Sequence, residues 1–517
     1  MSPSVQLEQL KLAQGYVHDI LLAPIYDIAI QTSVDNLKSL SARLNNQVFV
    51  KREDEQPVHS FKLRGAFNKL VNLSKEQLEL GVVAASAGNH AQGLALSAKT
   101  LGVNATIVMP ETTPDIKVNA VRGHGANVLL RGKSFDEANN FALNLAQEKG
   151  LSYIHPFDDK DVIVGQGTVA KELLQQVRDL DAIFVPVGGG GLLAGMAVYI
   201  KQLKPEIKVI GVEPEGAACL KKALEAGNPT ELEQVDIFAD GVAVKVIGEH
   251  TFKLAQQYCD EVVTVNSDEI CAAIKDLFDD VRAVAEPAGA LSLAGLKKYV
   301  TENQITGQRL SCVLSGANLN FDKLRYVAER TELGEKKEAV LAVTIPEQQG
   351  AFIEFCRVLG GRAITEFNYR FHNTDSAQIF VGVKLADVSS ELPSLMLQLS
   401  DAGYAVENLT DNEVAKLHVR HMVGGKPANT LNERLYSFEF PEYPGALAKF
   451  LHTLGQNWNI TLFHYRNHGA AFGQVLTAFE ATDDDQQRLQ QHLDEVGFTW
   501  RDESHNPGFQ LFLKNDS

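Results

Sequence analysis

The residues with the clearest chemical potential are a lysine and its neighbours in the segment Ser60-Phe61-Lys62-Leu63-Arg64-Gly65-Ala66. A lysine amine forms Schiff bases with carbonyl compounds and acts as a base when it is neutral. A single lysine is a weak indication, because most lysines of a globular protein are solvated on its surface. The chemistry of Lys62 therefore depends on what the rest of the chain places beside it.

A run of four glycines is the clearest candidate for binding a phosphate group. The apolar segment 182–187 is typical of a buried strand, and it leads into glycines 188–191 and then into a helical segment. Residues without side chains let successive N–H groups converge on an anion, and a helix start adds the positive end of its dipole. No Gly-Lys-Ser/Thr follows and no GxGxxG pattern is present, so the loop is neither a P-loop nor a dinucleotide fingerprint.

Two further strand ends carry small and polar residues. The apolar run 81–85 breaks into Ser-Ala-Gly-Asn-His at 86–90 before a helix of small residues, and the apolar run 310–314 ends at Ser315. A strand–loop–helix step presents N–H groups to an anion. Ligands of α/β proteins bind at the carboxyl ends of parallel strands. We therefore expect an anion at residues 86–90 and a ligand contact at Ser315.

The elements that must position these loops alternate between strand and helix up to about residue 330. Residues 1–45 are expected to be helical, and Thr113-Pro114 is expected to open a helix by N-cap and first-position proline. Strand-like segments occur at 48–50, 81–85, 105–109, 127–130, 182–187, 209–214 and 310–314. The alternation predicts an α/β fold with a mainly parallel sheet covered on both faces.

Composition excludes several classes of protein. The chain has 517 residues, of which 45% are hydrophobic and 22% charged, so two to four globular domains are expected. A formal charge of −17 without a basic stripe argues against nucleic acid as a partner. No apolar run is long enough to span a membrane, and no signal peptide is evident. The five cysteines show no CxxC spacing and are expected to be reduced, which predicts a cytoplasmic protein.

An internal repeat occupies the last third of the chain. Residues 346–351 recur at 441–446, and residues 364–370 recur at 460–466, so the two copies are offset by 95 or 96 positions. Each copy continues into a helix with apolar residues at i, i+3, i+4 and i+7. The order strand–helix–strand–strand–helix predicts two ferredoxin-like α/β sandwiches, joined by a linker at 424–427.

Together these motifs resemble the pyridoxal-phosphate enzymes of the tryptophan-synthase-β type. Over its whole length the chain is similar to the biosynthetic threonine dehydratases within that group. The resemblance implies fold type II, a two-lobed parallel-sheet pyridoxal-phosphate fold, followed by two ACT-like regulatory domains. It places the catalytic domain at 1–330, with a smaller lobe at roughly 52–155, and the regulatory domains at 331–425 and 426–517.

The resemblance assigns a role to each motif. Lys62 would hold pyridoxal phosphate and later act as the base at the substrate Cα, and Phe61 would pack against the pyridine ring. Asn89 would hydrogen-bond the ring oxygen of the cofactor, and Ser315 would partner its pyridine nitrogen. The phosphate would be bound by Gly188, Gly189, Gly190, Gly191 and Leu192, and the substrate carboxylate by Ser86, Ala87, Gly88, Asn89 and His90.

The implied reaction is the deamination of L-threonine to 2-oxobutanoate and ammonia by α,β-elimination of water, the first step of isoleucine biosynthesis. A serine hydroxyl opposite the pyridine nitrogen makes the ring a shallower electron sink than a carboxylate partner would. Expulsion of the β-hydroxyl is then favoured over transamination. The resemblance also implies that the cofactor phosphate protonates the departing hydroxyl.

Three alternatives stay open at this point. A serine dehydratase or racemase is a near relative, but racemases have a serine as second base where this chain has Ala87. Their metal site also needs an acid where this chain has Cys219, although Glu213 and Ala217 fit, so no metal site is predicted. Cysteine synthases lack both the repeat and the Arg-Gly-Ala after the lysine. A pseudoenzyme that only senses amino acids would not bind pyridoxal phosphate.

The repeat implies control by small molecules. In the resembled family isoleucine inhibits and valine opposes the inhibition, and the enzyme is a homotetramer. Such effectors must bind two states of the protein differently. We expect their site in the loops and helix starts at 349–352 and 444–451, with contacts from Phe352, Tyr369, Leu447, Leu451 and Tyr465.

Overall fold

The computed structural model divides the chain into two units, Met1–Gly334 and Glu335–Ser517. The structure describes residues 3–236, 238–320, 324, 327–328, 330–331, 338–346, 348, 350–370, 376–412, 415, 432–441, 446–454, 458–466 and 472–506. The predicted linker at 424–427 and the predicted effector positions Gln349, Pro444 and Gly445 lie outside these described residues.

Helices and strands alternate along the first unit, as the sequence predicts. In chain order they are α1 Pro3–Leu22, β1 Val34–Asn36, α2 Lys38–Leu44, β2 Gln47–Arg52, α3 Lys62–Val71, α4 Lys75–Leu80, β3 Val82–Ala85, α5 Asn89–Leu101, β4 Ala105–Met109, α6 Asp115–Gly123, β5 Asn127–Leu130, α7 Phe135–Lys149, β6 Ser152–Tyr153, α8 Lys160–Gln176, β7 Ala182–Pro186, α9 Gly191–Leu203, β8 Lys208–Pro214, α10 Cys219–Ala226, α11 Glu249–Tyr258, β9 Glu261–Val265, α12 Ser267–Val281, α13 Pro287–Glu302 and β10 Arg309–Leu314.

Two sheets organise this unit. The larger has the strand order β1-β2-β10-β7-β8-β9, in which only β1 is antiparallel to its neighbour. The smaller has the order β5-β4-β3-β6 and is parallel throughout. Every residue of β3 and β7 is buried, as expected for parallel strands covered by helices on both faces. The predicted parallel α/β architecture is therefore confirmed.

Two local predictions near the amino end need correction. Residues 1–45 are not helical throughout, because α1 ends at Leu22 and Pro24 cannot continue it, and the chain instead forms β1, which pairs with β2. At α6, Pro114 occupies the N-cap position rather than the first helical position. The buried Thr113 hydroxyl has no hydrogen-bond partner among the described residues, so it does not cap the helix.

Helix α8 packs closely against both α3 and α9. A Cβ added to Gly65 of α3 would lie 2.8 Å from the Val162 carbonyl oxygen of α8. A Cβ added to Gly195 of α9 would lie 2.7 Å from the Gly167 nitrogen of α8. The glycine of the Arg-Gly-Ala sequence after Lys62 is therefore required by helix packing, since real Cβ contacts this short are not tolerated.

A buried group of four charges fixes α3 from within the unit. Arg64 contacts Glu53 through Nε and Oε2 at 2.7 Å, and Glu172 through Nη1 and Oε1 at 2.6 Å. Lys51 Nζ lies 2.7 Å from Glu172 Oε2, and none of the four side chains is more than 1% exposed. Burial alone would raise the pKa of the Glu172 carboxyl, but hydrogen bonds and charges from Arg64 and Lys51 lower it. Two cations thus balance two anions.

The second unit consists of two copies of one β–α–β–β–α–β motif. The first copy contains β11 Glu338–Pro346, α14 Ala351–Leu359, β12 Ile364–Arg370, β13 Ser376–Lys384, α15 Val388–Asp401 and β14 Ala405–Asn408. The second contains β15 Glu433–Pro441, α16 Ala446–Leu454, β16 Asn459–Arg466, β17 Phe472–Glu480, α17 Gln486–Val496 and β18 Thr499–Asp502. The two predicted ferredoxin-like sandwiches are confirmed, and each has a fourth strand that the sequence pattern did not predict.

The two copies share one sheet and one core. Their strands form a continuous sheet of order β14-β11-β13-β12-β16-β17-β15-β18, in which β12 and β16 pair antiparallel and Phe367 lies opposite Tyr465. Apolar residues from both copies, including Phe355 and Phe450, belong to a single buried cluster. The repeats therefore form one structural unit.

Candidate active site

The lysine lies at the first position of α3, beside the end of β10. Ser60 forms an isolated bridge with Gly316, and the Phe61 N–H donates to the Ser315 carbonyl oxygen at 3.3 Å. Lys62 Nζ donates to the Pro156 carbonyl oxygen at 3.0 Å and lies 5.3 Å from the centre of the Phe61 ring. Burial lowers the pKa of the Lys62 amine to about 8, although the charge of Glu286 opposes the shift. A substantial fraction of the amine is therefore neutral near physiological pH.

The glycine loop presents unpaired donors. In the described parts of the chain, no acceptor is found for the backbone N–H groups of residues 188–192, most of which are buried. The carbonyl oxygen of Gly188 accepts a hydrogen bond from Cys219 Sγ at 3.4 Å, and that of Gly189 accepts one from Thr251 Oγ1 at 2.7 Å. Gly190 has φ +88°, a conformation that favours glycine. Buried N–H groups without acceptors point to an anionic ligand.

A pocket joins the lysine to this loop. It brings together nine predicted residues, namely Phe61, Lys62, Asn89, Gly188, Gly189, Gly190, Gly191, Leu192 and Ser315. It also contains six that the sequence reasoning missed, namely Phe157, Pro186, Gly241, Val242, Glu286 and Ala288.

Glu286 is the most informative of the missed residues. Its Oε1 accepts a hydrogen bond from Asn89 Nδ2 at 2.6 Å, and Asn89 Oδ1 accepts one from Asn318 Nδ2 at 2.7 Å. These two bonds fix the orientation of the Asn89 amide. Burial raises the pKa of the Glu286 carboxyl to about 7, although the Asn89 bond opposes the shift. An acid in the small-residue run before Pro287 was the available sequence signal.

Ser315 lies at the carboxyl end of β10 and is 4% exposed. Its Oγ donates to the Ala288 carbonyl oxygen at 3.2 Å. A hydroxyl hydrogen rotates between acceptors, so this bond is compatible with donation to a ring nitrogen in the pocket.

The loop at residues 86–90 contributes less side-chain chemistry than the sequence suggested. Among the described residues that line the pocket, only Asn89 comes from the predicted set Ser86, Ala87, Gly88, Asn89 and His90. The buried His90 ring pairs through Nε2 with the Ile154 carbonyl oxygen at 3.1 Å, and burial lowers its pKa to about 3. His90 is therefore neutral, and its backbone N–H in the first turn of α5 is what it can offer to an anion.

Glu213 binds the backbone N–H groups at the start of α10. Its carboxylate accepts from the N–H groups of Leu220 and Lys221 at 2.7 and 2.9 Å, and burial raises its pKa to about 7. Within the described residues, no group of three metal-binding side chains is present. The absence of a metal site stays a prediction. The same residues include no helix that is long and apolar enough to cross a membrane.

Comparisons with known proteins match both units. Residues 25–316 match a family described as pyridoxal-phosphate dependent enzyme, and residues 329–419 and 424–513 match the C-terminal regulatory domain of threonine dehydratase. The biosynthetic L-threonine dehydratase of Salmonella typhimurium is 59% identical over 498 residues, which is 96% of this chain and 97% of the relative. The chain belongs to the threonine dehydratase family. The Escherichia coli member is 58% identical over the same 96% of this chain and 97% of its own length.

Solved structures agree with this membership. The processed form of threonine deaminase isoform 2 from Solanum lycopersicum has a TM-score of 0.61 at 49% identity, and the match covers 62% of this chain and 93% of that chain. A serine racemase from Dictyostelium discoideum has a TM-score of 0.55 at 34% identity and covers 59% of this chain and 99% of that one. The first unit thus has the type II pyridoxal-phosphate fold, and the second has the regulatory fold of threonine dehydratases.

The pocket fits the cofactor of this family. Threonine dehydratases use pyridoxal phosphate, which needs an amine to join its aldehyde and donors for its phosphate. Lys62 provides a desolvated amine, and the unpaired N–H groups of residues 188–192 provide donors on the same pocket. The two features lie where one small molecule can reach both.

The predicted effector residues lie in or against the shared core of the second unit. Tyr369, Leu451 and Tyr465 are buried there, and Phe352 packs its ring 4.6 Å from that of Tyr369. Leu447 is half-buried against the same core. Of these five residues, Phe352 lines a second pocket, where residues 345–346, 348 and 350–353 of the first copy meet residues 458–460 of the second.

Proposed function

We propose that the chain deaminates L-threonine to 2-oxobutanoate and ammonia by α,β-elimination of water, as the first step of isoleucine biosynthesis under inhibition by isoleucine. The observation that carries the proposal is the half-buried Lys62 amine on the same pocket as the unpaired N–H groups of the glycine loop. The relatives that span 96% of the chain bear the name threonine dehydratase. The match of residues 329–419 and 424–513 to the regulatory domain of threonine dehydratase favours a dehydratase over a racemase.

When bound, pyridoxal phosphate supplies the aldehyde that joins an amino group and the ring that accepts electrons from a broken Cα–H bond. The N–H groups of residues 188–192 bind the phosphate, and Phe61 covers one part of the pocket. Lys62 takes the Cα proton, because its amine is desolvated and close to neutral. Ser315 donates to the ring nitrogen, and the N–H groups at the start of α5 bind the substrate carboxylate.

Production of 2-oxo acid from threonine and from serine, each with and without isoleucine, tests this proposal. The purified full chain is assayed after loading with pyridoxal phosphate. We expect turnover of threonine that isoleucine suppresses. Turnover of serine alone would instead support a serine dehydratase, and no turnover with bound cofactor would contradict the proposal.

The rate of cofactor uptake is predicted to depend on the charge of Lys62. Only a neutral amine attacks the aldehyde, and burial lowers the pKa of Lys62 to about 8. The neutral fraction therefore rises from about a tenth at pH 7 to about nine tenths at pH 9. Stopped-flow mixing of apoprotein with pyridoxal phosphate should show a rate that increases with a midpoint near pH 8. A rate that continues to climb above pH 10 would mean that Lys62 is not desolvated.

We further propose a homotetrameric, cytoplasmic enzyme with a catalytic domain at 1–330 and regulatory domains at 331–425 and 426–517. The family matches at 25–316, 329–419 and 424–513 support these boundaries. Isoleucine and valine are the proposed effectors, at a site formed by Phe352, Tyr369, Leu447, Leu451 and Tyr465. The support is their position in one core that both repeats share.

Leu447→Phe is expected to weaken inhibition by isoleucine while it spares activity without effector. Leu447 lies in the first turn of α16, half-buried, so a larger ring changes the space beside the shared core. The measurement is the isoleucine concentration that halves the rate, which should rise about tenfold, equivalent to ~1.4 kcal/mol of binding. Leu397→Phe is the control, because Leu397 of α15 is 62% exposed. Identical inhibition curves for Leu447→Phe and wild type would exclude this location.

A further inference from the structure

A buried threonine of α11 contacts the outer side of the glycine loop. Thr251 is 0% exposed, and its Oγ1 donates to the Gly189 carbonyl oxygen at 2.7 Å. The other acceptor within reach is the Gly248 carbonyl oxygen, which is more distant at 3.1 Å. Thr251 is 62 positions from Gly189 and does not line the pocket among the described residues. The bond therefore reaches the loop from the side opposite the proposed phosphate.

The direction of this bond determines where the next N–H points. A trans peptide unit is planar, and its C=O and the following N–H point in opposite directions. The Gly189 carbonyl is directed at α11, so the Gly190 N–H is directed away from α11. Gly189 and Gly190 both line the pocket. The Gly190 N–H is thus aimed at the proposed phosphate position.

Asp158 fixes the helix that carries Thr251. Its Oδ2 accepts from the Glu249 N–H at 3.0 Å, and its Oδ1 accepts from the N–H groups of His250 and Thr251 at 2.8 and 3.1 Å. A carboxylate that accepts from the first turn of a helix satisfies donors that would otherwise be unpaired. The start of α11 is therefore held in place relative to the chain segment around Asp158.

That chain segment also contacts both parts of the site. The Phe157 ring lies against Gly189 so closely that a Cβ on that glycine would overlap it. Lys62 Nζ donates to the Pro156 carbonyl oxygen. The Asp158 N–H donates to His155 Nδ1 at 2.8 Å, which orders the turn. Residues 155–158 thus link the lysine, the glycine loop and α11.

We infer that Thr251, held by Asp158, is a positioning residue for the cofactor phosphate. Its hydrogen bond to the Gly189 carbonyl oxygen orients the Gly189–Gly190 peptide so that the Gly190 N–H faces the pocket. The inference rests on the proposed role of the loop as the phosphate site. Without the hydroxyl, the Gly189 carbonyl loses its partner and the peptide is free to rotate. Thr251 touches neither cofactor nor substrate in this arrangement.

The test compares pyridoxal phosphate with pyridoxal, which has the same ring and aldehyde but no phosphate. Apoprotein is titrated with each compound, and the dissociation constants are measured for wild type, Thr251→Val, Thr251→Ser and the control Thr477→Val. Thr477 is a buried threonine of the second unit whose Oγ1 also donates to a backbone carbonyl, that of Leu462 at 2.9 Å. The control therefore matches the substitution, the burial and the type of bond.

Thr251→Val should raise the dissociation constant of pyridoxal phosphate about 10- to 100-fold, the effect of one hydrogen bond to a charged group. The constant for pyridoxal should be unchanged, and Thr251→Ser and Thr477→Val should resemble wild type for both compounds. The ³¹P chemical shift of bound cofactor should move in Thr251→Val, because a donor to the phosphate is displaced.

Unchanged affinity for pyridoxal phosphate in Thr251→Val would overturn the inference, and so would an equal loss for both compounds, which indicates general damage to the fold. If Thr251→Val does not fold, Thr251→Ala removes the same donor without a new methyl group and is judged by the same ratio. If the wild-type protein bound pyridoxal and pyridoxal phosphate with the same dissociation constant, the proposed phosphate site itself would be overturned. These results separate the role of Thr251 from the proposed function.

Discussion

Lys62→Ala is expected to lower the rate of 2-oxo acid formation from threonine by about 10³-fold or more, since it removes the base that takes the Cα proton. The described lining of the pocket contains one other titratable side chain, Glu286, whose Oε1 already accepts a hydrogen bond from Asn89. The His90 ring pairs with a backbone carbonyl and does not line the pocket. The variant should also lack the absorbance band of the covalently held cofactor.

A matched control is Lys75→Ala, because Lys75 is an exposed lysine at the start of α4. It should leave both rate and spectrum unchanged. Substantial turnover by Lys62→Ala in a single-turnover experiment would refute the assignment of Lys62, whatever the spectrum shows.

Arg64→Met is expected to lower the free energy of unfolding by about 3–5 kcal/mol, because it leaves buried anions without a partner. Arg64 is 0% exposed and contacts both Glu53 and Glu172, so its removal leaves Lys51 as the single cation among two carboxylates. Methionine has a comparable length, so most of the loss arises from charge rather than from a cavity. Urea unfolding followed by far-UV circular dichroism measures the change.

Two variants sharpen this result. Arg122→Met replaces an exposed arginine of α6 and should leave the unfolding midpoint unchanged. The double variant Arg64→Met/Glu53→Gln restores the balance of charge and should recover part of the lost stability. An Arg64→Met protein as stable as wild type would mean that the four charges contribute nothing to holding α3.

The sequence predicted the features that have a local pattern. The apolar strands, the four glycines and the lysine segment are contiguous runs of residues, and the structure places the four glycines, Phe61 and Lys62 on one pocket. The repeat is also visible in sequence, because two copies of the same motif preserve the same spacing. Such signals depend on neighbouring positions alone.

The missed features depend on contacts between distant positions. Glu286 reaches Asn89 across 197 positions, and Thr251 reaches Gly189 across 62. Thr251 stands in no pattern that distinguishes it from an ordinary helix residue, and the acid before Pro287 does not reveal which distant side chain it contacts. The sequence predicts that His90 contacts the substrate carboxylate; its ring pairs with the distant Ile154 carbonyl oxygen, so its backbone N–H is the group that stays a prediction for this role. Strands β14 and β18 were missed because they are short and mostly exposed.

The pairing of β12 with β16 also bears on self-association. Within the described residues, β12 of the first repeat and β16 of the second cover each other's edges. The two ends of the joined sheet are the four-residue strands β14 and β18. Short end strands that carry charged side chains are poor templates for further strand addition, whereas an uncovered β12 would present a longer edge that contains Phe367 and Tyr369. Duplication of the repeat thus covers the β12 edge, and a fragment cut between the copies would expose that edge to pairing with another chain.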